Sequence, residues 1–455
     1  MKKFFILCFL CIFGKILAQN WTLENCIEYA IAHNISVKQM EISQRAAKTE
    51  LNSAKMAFLP DLNASAGQNW NFGRTQTQSG LYENQTQSNT SFSVGSQMPI
   101  FTGGRMINSV AKAKLDLQAA ALNLEKAKDD ISLQVTSLFL QVLFQKEILK
   151  IANEQFSTTK QQAAQTEILA RNGKVPESQL FDIQAQEAND TLSVVQANSN
   201  LKLALLDLAQ SLELQDFENF DIDAGDFSHI GAEENAESAE IETSRILRRN
   251  LCELCVKETP QNIYNQALAN RAEVKSAEID VKSAEKSLKI AQSAYYPTIS
   301  LSAGIGTNYF YLYQNQGLNK PFSEQMNTNL GEYVGLSLNI PIFNRLSVLN
   351  QEKQAKYNIE NQKLALENTK KQLFKEIQTA YLNAVSANEK QNAAAKAVAS
   401  AQEAFRYAKE RYESGKSSVF EFSQAQSRLA QAQADEAQAK FDYIFKIKVL
   451  EFYRK

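Results

Sequence analysis

The chain is written twice. Met98-Pro99-Ile100-Phe101-Thr102 returns as Ile340-Pro341-Ile342-Phe343-Asn344. A long Ala/Gln-rich stretch follows each copy and ends at Gly-Lys, Gly173-Lys174 in the first and Gly415-Lys416 in the second. Thr102 to Gly173 and Asn344 to Gly415 both span 71 residues. Gln-Ala-Gln comes next in both, at 184–186 and 424–426. A repeat of roughly 240 residues is far longer than the 20–50 of a solenoid. Two equivalent half-molecules are fused here, and the fold must be one that such halves complete together.

The start of the chain reads as an export signal. Lys2 and Lys3 precede an apolar run from Phe4 to Phe13, and Leu17-Ala18 offers a cleavage site before Gln19. The run is too short to span a bilayer as a helix, so residues 1–18 are expected to be a secretory signal peptide. No lipobox is present, and no lipid anchor is expected. Losing Lys2, Lys3 and Lys15 takes the net charge from −2 to −5, a balance that does not call for nucleic acid. Cys8 and Cys11 leave with the signal. Cys26, Cys252 and Cys255 are too few for a disulfide scaffold. Cys252-x-x-Cys255 is half of a zinc site at most, with only His33 and His229 to add nitrogen ligands. No later apolar run has transmembrane length, so a membrane could be crossed only by β-strands.

Four segments have the pattern for it. Leu62, Ala64, Ala66, Trp70 and Phe72 alternate with Asp61, Asn63, Ser65, Gly67, Asn69 and Asn71. Phe92, Val94, Met98 and Ile100 alternate with Ser91, Ser93, Gly95 and Gln97. The second half repeats the pattern with Ile299, Leu301, Ala303 and Ile305, then with Val334, Leu336, Leu338, Ile340 and Ile342. Period-2 alternation of apolar with small polar groups suits strands between lipid and a watery lumen. Each pair would be joined by a long polar loop, Gly73–Ser88 or Tyr311–Asn327. A membrane barrel needs about eight strands or more, and one chain offers four. The barrel must be shared. Eight strands leave an interior filled by side chains, and a wider barrel is needed for an aqueous channel.

The remainder is predicted helical. Residues 103–171 and 345–413 lack proline and would each form roughly 100 Å of helix, with Thr102 and Asn344 as N-caps. Segments 22–57, 178–213, 262–296 and 419–453 are half as long. Two short helices end to end match one long one, with the acidic, irregular linker 214–261 as a belt at the midpoint. Ile131, Val135, Leu138, Val142 and Leu149 form a narrow coiled-coil seam, as do Val194, Leu201, Leu205, Leu208 and Leu212. The organisation expected is a signal peptide at 1–18 and a first repeat at 19–213, with hairpin 61–101, long helix 102–171 and return helix 178–213. The linker 214–261 and a second repeat at 262–455 follow, with hairpin 298–343, long helix 344–413 and return helix 419–453.

Enzyme signatures are missing. Gly415-Lys416-Ser417 resembles the end of a phosphate-binding loop, but Glu410 stands where that motif needs glycine, and the preceding segment is helix. There is no GxSxG, HExxH, EF-hand loop or dinucleotide fingerprint, and neither catalysis nor a cofactor or metal is expected.

The order helix, hairpin, long helix, Gly turn, helix, given twice after an export signal, resembles the TolC family of outer-membrane efflux proteins. Trp21-Thr22-Leu23-Glu24-Asn25-Cys26-Ile27-Glu28-Tyr29-Ala30 is similar to the family's first helix. Arg411-Tyr412-Glu413-Ser414-Gly415 through Val419-Phe420-Glu421-Phe422-Ser423-Gln424-Ala425 is similar to its periplasmic tip. The resemblance implies a mainly α fold with a membrane β-barrel contribution: a homotrimer with a shared twelve-stranded barrel in outer-membrane lipid and an α-barrel of long hairpins in the periplasm. It implies export of small molecules or secreted proteins. The partners implied are an inner-membrane pump or secretion ATPase and a periplasmic adaptor docking at Gly173, Lys174, Gly415 and Lys416. It also implies a tip closed by polar contacts and acidic rings. Tyr412 matches the family's linking tyrosine, Glu421 stands at an acidic position, Gln424 departs from a second one, and Asp182 is the counterpart in the first repeat. The competing class is an exported α-helical structural or adaptor protein of the envelope with soluble hairpins. Heat-modifiable migration and detergent dependence separate the two.

Overall fold

A computed structural model of the chain describes residues 21–76, 80, 82–215, 220–223, 259–314 and 316–454. The signal peptide, most of the linker, His229, Cys252 and Cys255 lie outside the described residues. In chain order the elements are α1 (Leu23–His33), α2 (Ile35–Met56), β1 (Asn63–Asn71), β2 (Arg74–Gln76), β3 (Tyr82–Asn84), β4 (Gln87–Phe101), α3 (Arg105–Arg171) and α4 (Glu177–Ser211). The second half gives α5 (Pro260–Asn270), α6 (Ala272–Ser293), β5 (Thr298–Leu312), α7 (Phe322–Thr328), β6 (Gly331–Asn339), α8 (Ser347–Glu413) and α9 (Val419–Arg454). The duplication holds to the residue in three of the four helix pairs, and the return helices α4 and α9 are 35 and 36 residues long. α3 and α8 are both 67 residues long, and α1 and α5 both 11. α2 and α6 are both 22 residues long.

Segments 22–57 and 262–296, expected as single helices, are each broken in two. The breaks fall at equivalent places, Asn34 and Arg271, where ψ swings to 134° and 130°. Neither proline nor glycine causes them; side-chain bonding does. The Asn34 amide donates to the Ser211 carbonyl (3.2 Å), and its oxygen accepts from the Ser36 N–H (2.9 Å). The Arg271 guanidinium is buried, lies 4.0 Å over the Phe452 ring, and pairs with Glu273 and Asp129. Burial, partly offset by that guanidinium, pushes the Asp129 carboxyl above its ordinary value.

The chain divides into two compact units. One comprises Ile42–Leu122 and Lys275–Asn368 and holds the strands. β1, β4, β5 and β6 form one antiparallel sheet in that order. Each expected hairpin is present, and β4 also pairs with β5, which joins the two repeats along one ladder from Gln87↔Leu312 to Pro99↔Ser300. Ala64↔Val94, Val94↔Ile305 and Leu301↔Leu336 keep the apolar side chains on one face. Ser65↔Ser93, Gly95↔Gly304 and Ser300↔Ser337 keep the small polar groups on the other. β6 reaches β5 only as far as Gly306. Beyond it, side-chain amides satisfy the exposed backbone. Asn329 donates to Asn308 O (2.7 Å), while Gln325 bonds both polar backbone groups of Phe310 and Asn319 both of Leu312. β6 stops at Asn339 rather than running on to Ile342, whereas its counterpart β4 runs through Pro99 to Phe101.

Thr102 and Asn344, expected as N-caps, sit one turn outside their helices. Two residues with positive φ intervene in each repeat: Gly103 (63°) and Gly104 (84°), then Arg345 (55°) and Leu346 (62°). The same backbone turn is thus built once with glycines and once without. Thr102 Oγ1 still accepts from the Met106 N–H at 3.4 Å.

The other unit comprises residues up to Glu41, Asn123–Val274, and Thr369 onward. Its core joins Cys26, Ala30 and Val37 to Ile131, Val135, Phe139 and Val142 of α3 and to Leu208 and Leu212. Trp21 meets the edges of Tyr29 and Phe220 at 5.3 and 5.4 Å. The Cys26 thiol is pushed up to about 12 by burial, which leaves it an inert packing group. His33 stacks on Tyr29 at 4.0 Å. In the second repeat Ala384, Ala387, Tyr443 and Ile447 cluster between α8 and α9.

Candidate functional site

The helical turns after α3 and α8 share one design. Lys174 N–H donates to Leu169 O and Gly173 N–H to Ala170 O, both at 2.9 Å. Lys416 N–H donates to Arg411 O and Gly415 N–H to Tyr412 O, again at 2.9 Å. This is a Schellman stop, with φ of 68° at Gly173 and 70° at Gly415. A Cβ at either glycine would meet no atom within 4 Å. Glycine is there for its backbone, and the turns are open at their outer side. Lys174 and Lys416 are exposed on them.

Behind the turns a small apolar knot holds the two repeats together. Ala163, Ile183 and Val419 are buried, with Leu180 and Tyr412 packed on them. The Tyr412 ring stacks on the fully buried Phe422 with centroids 5.1 Å apart. Its hydroxyl lies 3.1 Å from Thr166 Oγ1 on α3. The expected linking tyrosine therefore joins the second repeat to the first within one chain.

Further along α3, the seam that is apolar at Ile131, Val135 and Val142 turns polar. Thr159, Gln162 and Thr166 are buried there. Asp190 of α4 is 2% exposed. Its carboxylate accepts from Gln155 Nε2 (2.9 Å), Gln186 Nε2 (2.8 Å) and Thr159 Oγ1 (2.5 Å), all neutral donors. Gln426 of α9 closes the cluster by donating to Thr159 Oγ1 and to Gln155 O, both at 3.0 Å. Gln162 Oε1 and Ser423 Oγ are buried without a hydrogen-bond partner. A polar layer of this kind is a weaker cement than the apolar seam, because its groups also bond well to water when separated.

Glu421, which stands at an acidic position of the family's tip, is not alone. Ser417 Oγ donates to it at 2.5 Å, and Arg411 stands 3.8 Å away. Asp182 and Gln424 are exposed in the single chain. Thr166, Asp190 and Thr159 escaped the sequence reading. The signal was present: continuing the seam from Ile131 and Leu138 in steps of seven arrives at Thr159 and Thr166. The repeated Gln-Ala-Gln also had a purpose, since its last glutamines, Gln186 and Gln426, both enter the Asp190 cluster. Among the described residues no three His, Cys, Asp or Glu side chains are grouped to hold a metal ion. No described helix is long and apolar enough to cross a membrane.

The sequence model of the family described as outer membrane efflux protein matches residues 26–213 and 263–444. The outer membrane protein TolC of Escherichia coli is 22% identical over 436 residues, which cover 94% of this chain and 81% of TolC. Among solved structures, the outer membrane protein VceC of Vibrio cholerae superposes with a TM-score of 0.71 at 17% identity, covering 95% of this chain and 96% of VceC. The CmeC outer membrane channel of Campylobacter jejuni gives 0.72 at 16% identity, covering 95% and 85%.

Proposed function

The chain belongs to the outer membrane efflux protein family, and from that premise we propose that three copies form one channel-tunnel that exports drugs, other toxic small molecules or secreted proteins. It is an outer-membrane protein with its helical part in the periplasm. The observation that carries the shared barrel is the sheet. β1 and β6 are its two edges, nine residues each, and they run antiparallel to one another. On the apolar face Trp70 is 56% exposed, Val334 78% and Leu336 72%. An open sheet of that kind is stable neither in water nor in lipid. Setting β6 of each copy on β1 of the next removes every edge, and three copies give twelve strands. The Gly, Ser and Asn face then lines the lumen, and the apolar face meets lipid. Tyr309 and Tyr311, on the apolar face near one end of β5, suit the aromatic girdle of such a barrel.

The turns at Gly173-Lys174 and Gly415-Lys416 are the docking points for a periplasmic adaptor, which connects the channel to an inner-membrane pump or secretion ATPase. The gate lies beside them. Tyr412 bonded to Thr166 holds it closed, and Glu421, with Asp182 and Gln424 near it, gives the mouth its charge. The polar layer at Asp190 and Thr159 allows the second-repeat hairpin to part from α3 there, while the apolar seam above stays shut. A neutral hydrogen bond contributes about 0.5–1.5 kcal/mol net. Tyr412→Phe should therefore favour opening by roughly 2- to 10-fold per protomer, seen as more frequent or larger openings in planar bilayers. Glu421→Gln should weaken cation preference and block by multivalent cations, though modestly, since Arg411 already offsets the charge. If both variants behave as wild type, the constriction is elsewhere.

A further inference from the structure

Two glycines in the middle of the sheet have no backbone reason to be there. Gly95 lies in β4 and Gly304 in β5, central strands where glycine weakens pairing. Neither has a positive φ. They are cross-strand partners, and Gly304 is in turn the partner of Tyr333 in β6. The row Asn63, Gly95, Gly304, Tyr333 thus runs straight across all four strands on the small polar face. The Tyr333 ring lies down along it. A Cβ at Gly304 would stand 2.7 Å from Cε1 and 2.9 Å from both Cζ and the hydroxyl oxygen. A Cβ at Gly95 would stand 3.6 Å from the same hydroxyl, an ordinary contact. The glycines form a trough whose floor the ring covers, the pairing by which an aromatic compensates for a strand glycine. Tyr333 is still 57% exposed, so its other side faces the space this sheet face borders. The neighbouring groups on that face, Ser302, Gly306, Gly335 and Ser337, are all smaller.

We propose that Tyr333, held flat by Gly304 and Gly95, sets the bore of the barrel and so the size limit for cargo leaving through it. This rests on the reading that the small polar face lines the channel. In a trimer three such rings sit at one height. Lying down over Gly304, each ring projects least into the lumen. Standing up, three tyrosines would be the largest obstruction on this face. Glycine at 304 is what keeps the ring down, because any side chain there displaces it toward the lumen.

The test is polymer exclusion on reconstituted channels, with polyethylene glycols of graded size added from the barrel side and their effect on single-channel conductance recorded. Gly304→Ala should lower the largest size admitted. Gly95→Ala should change it little. Gly304→Ala combined with Tyr333→Ala should return the limit at least to the wild-type value, because the obstruction is the ring and not the alanine. The inference is overturned if Gly304→Ala channels admit the same sizes as wild type, or if the double variant stays as narrow as the single one. Should Gly304→Ala alone not assemble, the double variant must; its failure too would show that the backbone, not the ring, needs the glycine. A wild-type protein that forms no channel at all contradicts the channel reading itself, a result distinct from either.

Discussion

Leu336→Arg is expected to destabilise the barrel by ~2–4 kcal/mol, the cost of arginine on a lipid-facing strand near the bilayer midplane. Leu336 is 72% exposed in the single chain and sits opposite Leu301, flanked by the pairs Ala303↔Val334 and Ile299↔Leu338. All of these belong to the face assigned to lipid. Its chain neighbour Ser337 points to the other face, opposite Ser300. Ser337→Asn should leave assembly almost unchanged. Urea unfolding in lipid vesicles, read by heat-modifiable migration, measures both. Equal damage at the two positions would mean that the faces are assigned the wrong way or that the sheet is not in a membrane.

Gly103→Ala is the second substitution with a large cost. Its φ of 63° is left-handed, and a Cβ there would be 2.5 Å from the Ser293 carbonyl oxygen and 2.7 Å from the Tyr296 Cβ. The left-handed conformation costs an L-residue ~1–2 kcal/mol, and overpacking against a fixed backbone adds ~1–3 kcal/mol. At the matching turn of the second repeat, Leu346 already bears the first of these costs at φ 62° and is 57% exposed. Leu346→Gly relieves it, offset by the greater freedom glycine gives the unfolded chain. Thermal unfolding should show a large loss for Gly103→Ala and a neutral or slightly stabilising effect for Leu346→Gly. A harmless Gly103→Ala would refute the close packing of α6 against this turn.

These two turns also show what could be read from the sequence and what could not. Glycine at 173 and 415 marks a turn in plain view, whereas Gly103 and Gly104 read as part of the helix that in fact begins at Arg105. Arg345 and Leu346 adopt the same left-handed backbone as Gly103 and Gly104 and give no local sign of it. The repeat relation alone could have exposed them, by aligning Thr102-Gly103-Gly104 with Asn344-Arg345-Leu346. The strand faces were legible because alternation is local, and so were the 67-residue helices, which nothing interrupts. The pairing of β4 with β5 was not, because it joins segments some 200 residues apart, and periodicity carries no information about such partners. The breaks at Asn34 and Arg271 were hidden for a similar reason. Both residues are tolerable in a helix, and what bends the chain is Ser211 in one case and Asp129 with Phe452 in the other. Beside the helical turns, Tyr412 could be picked out by resemblance, whereas Thr166 and Asp190 acquire meaning only once α3, α4 and α9 are side by side.

The central claim is that no single chain makes a barrel. It is tested most directly by the mass of the protein in its membrane form. Native mass spectrometry of the mature protein released from mild detergent, with chemical cross-linking in lipid vesicles as a check, should give three copies and little else. A folded, bilayer-inserted monomer would contradict the account, because the four-stranded sheet would then have to close without the neighbours that β1 and β6 require.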